Sequence, residues 1–598
     1  MQKFKILLIA FIVVMLPVRA ERFTNSDNTI VVDFFAENPT DSINNVKAKV
    51  CVVKGGQVYC RWSKSSASTT DTVVSGFTEG IPFNVWIYND KGDSLFVEKS
   101  VKAESISESL NSMMTPLTEV LWSALSWDPF AAMGLYDPVI YDDNGNPQLK
   151  PNGDVVSQGI PFIVVWLFAG AIFFTFYFKF INFIGIRETF RLLKGSYGED
   201  MEKGADGEMS HFQALATSLS ATIGLGNIAG VAVAITLGGP GATFWMVLAG
   251  LFGMTSKFTE CILGVKYRVV KDGVVSGGPM YYMSRGIKGK FGKVLAVVFS
   301  LLCVGGSFGG GNMFQSNQAF DQAKNMVPEL AGNGFVFGLV LAALVGVVIV
   351  GGIKSIAKVT DKIVPIMAVG YVLAALVIII LKIDSAPSAF SQIMHGAFSA
   401  DALKGGVVGV MVLGIQRAAF SNEAGVGSAS IAHSAVKTNF AASEGFVAMV
   451  GPFVDTVIVC LMTSLVLIFT GFADGKTGAT GAKLTSMAFE SVFSWYGWVL
   501  LVAILLFSFS TMISWSYYGL KAWQYVFGAS KASTILYKIL FLFFIVVGAS
   551  SSLGAVMDFS DLMILAMAVP NILALYILLP KVKEELAIYW GKVASIKK

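Results

Sequence analysis

From Gly159 onward the chain is a succession of long apolar runs separated by short polar stretches, at roughly 160–181, 214–237, 241–265, 293–313, 334–353, 362–382, 405–427, 445–471, 497–522, 534–550 and 560–579. Each approaches the ~20 residues an α-helix needs to cross a bilayer, so the pattern predicts about eleven spans. Upstream the pattern changes. Between residues 21 and 103, short alternating segments such as "TIVVDFFAE", "KAKVCVVKGGQVYCRW" and "FNVWIYNDKGDSLFVEKSV" are punctuated by turn dipeptides, which predicts a small β domain. Residues 104–158 read as an interfacial helix followed by a turn-rich linker. At the start, Lys3 and Lys5 precede an apolar run from Ile6 to Leu16 that is too short to span and ends in "VRA", so residues 1–20 read as a signal peptide cleaved before Glu21.

Composition sets the solvent. Of 598 residues 54% are hydrophobic and only 14% charged, and the mean hydropathy is +0.65, values that place the chain in a lipid bilayer. The net charge of +4 is spread over loops rather than gathered on a face or tail, which argues against a nucleic-acid partner. Arg187, Arg191, Lys194 and Lys203 follow the first run, Lys266 to Lys293 carry seven cations after the third, and Lys354, Lys358 and Lys362 follow the fifth, whereas the alternate loops are poor in cations. By the positive-inside rule those loops are cytoplasmic, which puts the β domain outside the cell (inner) membrane and the tail, 581–598, inside.

Two cysteines fall in that outer domain. A Gly55-Gly56 hairpin turn sets Cys51 opposite Cys60 at a non-hydrogen-bonded position, where Cα atoms are ~4.5 Å apart and a disulfide can close. Cys261, Cys303 and Cys460 lie in apolar runs and read as small buried hydrophobes. His211, His395 and His433 lie in or near loops without metal-ligand spacing.

The second run contains "SATIGLGNIAGVA", residues 220–232, in which Gly224 and Gly226 weaken a helix at membrane depth. Unwound backbone there must be buried in protein or face a cavity. The other reading is a packing groove in which Gly226 and Gly230 form a G-x-x-x-G contact with a neighbouring helix. A second copy favours the break: the seventh run repeats the pattern N-x-A-G-V at residues 422–426, five spans after residues 227–231, and an odd number of spans reverses the orientation. Paired interruptions in two inverted halves point to a secondary transporter with a midplane substrate site.

Amides opening the half-helix after Gly224, Gly226 and Asn227 can hold a carboxylate, and carbonyls near Ala419 and Phe420 can face an ammonium group. Arg417, Glu423 and Asp455 are ionisable groups at membrane depth and read as gate or structural elements, with Glu423 accepting amides of the unwound backbone. Lys257 and Glu260 read as a local pair snorkelling at a cytoplasmic end. "GLGNIAG" lacks the strand and spaced acid of a dinucleotide site, and no phosphate loop occurs, so neither an enzyme nor an ATP-driven pump is indicated.

The segments "SATIGLGNIAGVAVAITLGGPGATFWM", "SGGPMYYM", "GNMFQSNQ", "FSNEAGVGSASIAHSAVKT" and "FSTMISWSYYG" resemble the alanine or glycine:cation symporter family, also called sodium:alanine symporters, within the amino acid-polyamine-organocation superfamily. The resemblance runs from about Gly159 to Pro580, so the transporter domain is 159–580. It implies an all-α polytopic protein with a leucine-transporter-like 5+5 inverted repeat preceded by one extra N-terminal helix. The implied activity is Na⁺-driven uptake of a small neutral amino acid, alanine or glycine, with H⁺ as the alternative coupling ion. The resemblance implies substrate contacts at Thr222, Gly224, Asn227, Gln315, Thr511 and Trp515. It also implies a Na⁺ site where carbonyls of Ala221 and Thr222 join the hydroxyls of Ser510 and Thr511, since Na⁺ prefers oxygen ligands. Phe420 and Trp515 would cap a pocket for a small side chain. Leu225 stands where the family commonly has threonine, which bears on substrate range and ion stoichiometry. The signal peptide and β domain are not part of the usual family pattern. A channel gated by an amino acid, or a transporter-like sensor signalling through the β domain, is the alternative.

Overall fold

The structure is a computed structural model that describes the backbone of six strands between residues 29 and 101, and residues 121–135, 137–139, 159–197, 205–398, 406–475, 477–551 and 553–596. The expected signal peptide and most of 104–158 lie outside the described residues. The chain divides into two compact units, Met1–Pro116 and Leu117–Lys598.

In the first unit β1 (Thr29–Asp33) pairs with β4 (Asp71–Ser75), and β2 (Lys47–Lys54), β3 (Gln57–Lys64), β5 (Phe83–Tyr88) and β6 (Ser94–Val101) form an antiparallel sheet in the order β3-β2-β5-β6. The β2–β3 hairpin sets Cys51 against Cys60 in register. The side chains of that pair lie outside the described residues, so the disulfide remains an expectation.

The second unit is helical. In chain order its principal helices are α1 (Phe162–Tyr177), α2 (His211–Thr222), α3 (Val231–Gly238), α4 (Ala242–Lys266), α5 (Gly289–Phe308), α6 (Phe314–Met326), α7 (Gly334–Val350), α8 (Gly352–Leu381), α9 (Gly406–Asn422), α10 (Ala429–His433), α11 (Ala441–Ala448), α12 (Leu461–Phe469), α13 (Tyr496–Phe527), α14 (Lys531–Ser550) and α15 (Leu553–Ile596). A short hairpin, β7 (Val269–Lys271) with β8 (Val274–Ser276), follows α4. The apolar runs read from the sequence all fall on these helices. Among the described residues seven continuous helical stretches are long and apolar enough to cross a membrane, and α2 with the segment Gly226–Gly238, taken as one span bent by 50°, makes an eighth.

Local sequence explains the ends. A capping box starts α2, with Ser210 and Gln213 each accepting the other's backbone N–H at 3.2 Å. Wide π-helical turns interrupt three spans, at Gly226–Gly230, Gly309–Met313 and Phe453–Cys460, and such bulges concentrate at functional sites. The second half of α4, Gly253 to Val265, is buried all the way round, so this helix runs through the middle of the bundle. By contrast α7 and α8 leave Val340, Val347, Ile366 and Leu373 exposed, an apolar belt that suits lipid tails. The expected tail is not separate: α15 continues through Pro580 to Ile596, burying Val582, Tyr589 and Val593, and Tyr589 donates to Glu188 of the helix Ile186–Leu193 at 2.7 Å.

One end of the bundle is closed by a clasp. Lys437 N donates to Met209 O at 2.8 Å and Glu208 N to Ala435 O at 2.7 Å, joining the segment before α2 to the segment after α10. The Arg268 guanidinium bonds the carbonyls of Asp206 (2.7 Å), Ser434 (2.9 Å), Val436 (2.5 Å) and Thr438 (3.0 Å) across the same join. His211 opens α2 and His433 closes α10, each at a helix end beside a loop; both are buried, and both bind the Glu444 carboxylate on α11.

Candidate functional site

The break after α2 is visible in where its N–H groups go. In a continuous helix Leu225 N would bond Ala221 O; here it donates to Gln315 Oε1 at 3.2 Å instead. Gly224 N donates to Thr222 O at 2.9 Å and Asn227 Oδ1 at 3.0 Å instead of Ser220 O. Ser220 O takes the Thr511 hydroxyl at 3.0 Å, and the Ser220 hydroxyl returns to Ser510 O at 2.6 Å. The glycine-groove alternative fails at Gly230, where an added Cβ would meet nothing within 4 Å.

The second break is wider. After α9 the backbone turns left-handed at Glu423 (φ 55°), Gly425 (φ 85°) and Gly427 (φ 94°) before α10 begins. Such a conformation at a non-glycine residue is strained and held by its surroundings. Ala424 N bonds Asn422 Oδ1 at 2.9 Å, which releases the Phe420 carbonyl, whereas the Ala419 carbonyl keeps Glu423 N at 3.0 Å.

Both breaks face one small pocket lined by Ala221, Thr222, Gly224, Gly226, Gly310, Gln315, Phe420, Glu423, Trp515 and Ile564. Six of the eight expected substrate residues therefore lie on its wall. Asn227 and Thr511 stand behind it. Asn227 bonds Gly224 N and, through Nδ2, the carbonyl of Asp455 at 3.2 Å, so it fixes the break. Thr511 Oγ1 sits where a Cβ on Gly224 would come within 2.6 Å. Gln315 spans the pocket edge, accepting from Leu225 N and donating to Gly310 O at 2.8 Å. Trp515 packs so closely on Gly311 that no side chain fits there, and its indole N–H reaches Glu423 Oε1 at 2.9 Å.

Of the expected ion ligands, Ala221 has lost the Leu225 N–H from its carbonyl to Gln315. Thr511 bridges α13 to α2. Ser510 and Thr222 turn their hydroxyls to carbonyls of their own helices, Phe507 O at 3.0 Å and Ser218 O at 3.3 Å. Those hydroxyl oxygens keep lone pairs able to accept a cation.

The ionisable groups depart most from expectation. Glu423 does not gather backbone amides; its carboxylate accepts the Ser428 hydroxyl and the Trp515 indole, because the left-handed turn aims it across the break. Arg417 pairs with Asp561 on α15, its guanidinium 5.5 Å from the centre of the Phe420 ring. Asp455 accepts the hydroxyls of Ser421 (2.6 Å) and Thr456 (2.8 Å), tying α9 to the wide turn before α12. Lys257 and Glu260 do not snorkel. They are fully buried, and Lys257 Nζ donates to Asn422 O at 2.6 Å, capping the end of α9 with a cation where the helix dipole is negative. Sequence reasoning missed Gly310, Ile564 and Asp561; the run Gly309-Gly310-Gly311 was the signal for the first, and nothing local marks the other two.

The model of the sodium:alanine symporter family matches residues 149–598. The chain is 41% identical over 423 residues to the sodium/alanine symporter AgcS of Methanococcus maripaludis, covering 70% of this chain and 92% of that protein. It is 34% identical over 421 residues to the probable sodium/glutamine symporter GlnT of Bacillus subtilis, covering 70% and 85%. The solved structure of MhsT in complex with L-phenylalanine aligns at TM-score 0.45 and 16% identity over 62% of this chain and 88% of that one. With a match spanning most of its length and a relative so similar over nearly its whole extent, this multi-pass membrane protein belongs to the sodium:alanine symporter family.

Proposed function

We propose that the chain is a secondary active symporter that couples inward Na⁺ movement to uptake of a small neutral amino acid, alanine or glycine, by alternating access in a leucine-transporter-like 5+5 repeat. One observation carries this reading: the Leu225 N–H is diverted from the Ala221 carbonyl to Gln315, at a break that sets Ala221, Gly224 and Gly226 on the wall of one pocket. A zwitterion matches such a wall. The Gly226 amide, at the positive end of a half-helix, suits a carboxylate, and the Phe420 carbonyl, freed at the negative end of α9, suits an ammonium group. Phe420, Trp515 and Ile564 enclose the remaining side and favour a short apolar side chain.

Na⁺ would be held by the Ala221 and Thr222 carbonyls with the Ser510 and Thr511 hydroxyls, an all-oxygen set between α2 and α13. The Arg417–Asp561 pair covers the pocket from the outer side, and the Arg268 clasp closes the inner one, in the cell (inner) membrane with the C-terminus cytoplasmic. The sodium/alanine symporter AgcS and the probable sodium/glutamine symporter GlnT support Na⁺ as the driver.

The test is radiolabelled uptake by purified protein in liposomes. Alanine or glycine should accumulate only under an inward Na⁺ gradient, and an unchanged rate without that gradient overturns the reading.

A further inference from the structure

The second break is held from behind by an element that does not line the substrate pocket. After α4 the chain runs through the β7–β8 hairpin into the helix Pro279–Gly286, an arm that reaches from the clasp to the second break. At one end the arm is built into the clasp. Val275 N donates to Glu208 Oε1 at 2.7 Å, Val275 O accepts from Lys521 Nζ of α13 at 2.7 Å, and Gly277 packs on Ser434, whose carbonyl Arg268 holds. Glu208 is itself part of the clasp through its bond to Ala435.

At the other end the arm is pressed against the break. A Cβ on Gly427 would come within 2.8 Å of Pro279 Cγ, and one on Gly278 within 2.6 Å of Ile431 Cγ1 on α10, so no free space separates arm and break. Hydrogen bonds join them as well. Asn571 of α15, fully buried, donates from Nδ2 to Gly425 O inside the break at 2.9 Å and to Glu260 Oε1 of α4 at 2.8 Å. Both amide protons are then used. Its Oδ1 can only accept and meets the buried Tyr282 hydroxyl, so the phenol of the arm is the donor.

Asn571 thus fastens Gly425 of the break to Tyr282 of the arm, and α4 supplies a third point through Glu260. Close-packed buried atoms transmit a displacement rather than absorb it, and a contiguous set of contacts with two discrete arrangements couples distant sites. A rotation at Gly425 either draws the Asn571 amide along or parts from it. In both cases the hold on Tyr282, and through the arm on the clasp, changes with it.

We propose that Asn571 and Tyr282 form a joint that lets the clasp open only as the second break rearranges. Both act as positioning residues, since neither lines the pocket. The inference rests on the symport reading above and adds to it the device that keeps Na⁺ from crossing without its amino acid.

The experiment follows labelled Na⁺ and labelled alanine entering liposomes that hold the full chain, with Tyr282→Phe, Asn571→Ala and the double variant beside the wild type. In Tyr282→Phe the arm loses its hydrogen bond and keeps its ring; Na⁺ entry without alanine should rise about fivefold, and the ratio of Na⁺ to alanine should rise with it. The KM for alanine should stay within about twofold, because the wall of the pocket is intact. If the two residues act as one joint, the double variant should leak no more than Asn571→Ala alone. A role confined to stability would leave fewer working copies at an unchanged ratio. That unchanged ratio in Tyr282→Phe overturns the proposal while leaving the symport reading standing, and so does a leak in the double variant equal to the product of the two single effects. Wild-type protein that takes up no alanine under a Na⁺ gradient overturns the symport reading, and this inference with it. Where Asn571→Ala fails to fold, the ratio in Tyr282→Phe decides.

Discussion

At the first break every diverted backbone group that finds a partner meets a neutral side chain: Gln315 and Asn227 take the amides, and Thr511 takes the carbonyl of Ser220. At the second the charged groups take over, with Lys257 on the Asn422 carbonyl and Glu423 held in a left-handed turn against Ser428 and Trp515. The backbone differs in the same sense. The first break bends the span by 50° through a wide turn, whereas the second leaves the helix entirely between Asn422 and Ala429. The shared N-x-A-G-V letters therefore mark two sites of interruption without dictating how each is stabilised. Neutral amides exchange partners at little cost, which suits a wall that must rearrange around a ligand. Buried charges lose several kcal/mol when a partner is removed, which suits a fixed frame.

Substitutions at the two breaks can separate these roles. The largest effect is expected at Gly427, where φ is +94° and a Cβ would lie 2.8 Å from Pro279 Cγ and 2.9 Å from Asn571 Cγ. Gly427→Ala should cost about 2–4 kcal/mol of stability and abolish uptake, read by thermal unfolding in detergent and by liposome assay. Gln315→Leu leaves the Leu225 amide buried without an acceptor. A loss of about 1–3 kcal/mol is expected, together with a raised KM for the amino acid. Thr511→Ala removes the hydroxyl that ties Ser220 to α13; the half-saturating Na⁺ concentration should rise about tenfold with folding intact, and unchanged Na⁺ dependence removes Thr511 from the ion site. The smallest effect is expected at Gly230, which has open space around it: Gly230→Ala should stay within about 0.5 kcal/mol of wild type. A large loss there would restore the glycine-groove reading of the first break.

Features that depend on neighbours along the chain could be read from the sequence. The spans follow from runs of apolar residues, and both breaks from glycines within such runs. The facing of Cys51 and Cys60 follows from a two-residue turn. Features made by residues far apart in sequence could not. Lys257 looks like a snorkelling side chain until α9 ends beside it, and Ile564 looks like any lipid-facing residue until α15 turns it onto the pocket. His211 and His433 are separated by two hundred residues, and only the fold brings Glu444 between them. Charge at membrane depth singled out Arg417, Glu423 and Asp455, because burial without a partner is costly, but it carried no information about which partner each would find.

Arg268 reaches four carbonyls on two chain segments, so parting those segments surrenders several charge-assisted bonds together rather than one after another. A motion with that kind of threshold has few stable halfway positions. The clasped end of the bundle should then behave as a latch with two settings, open or shut, and leak little in between.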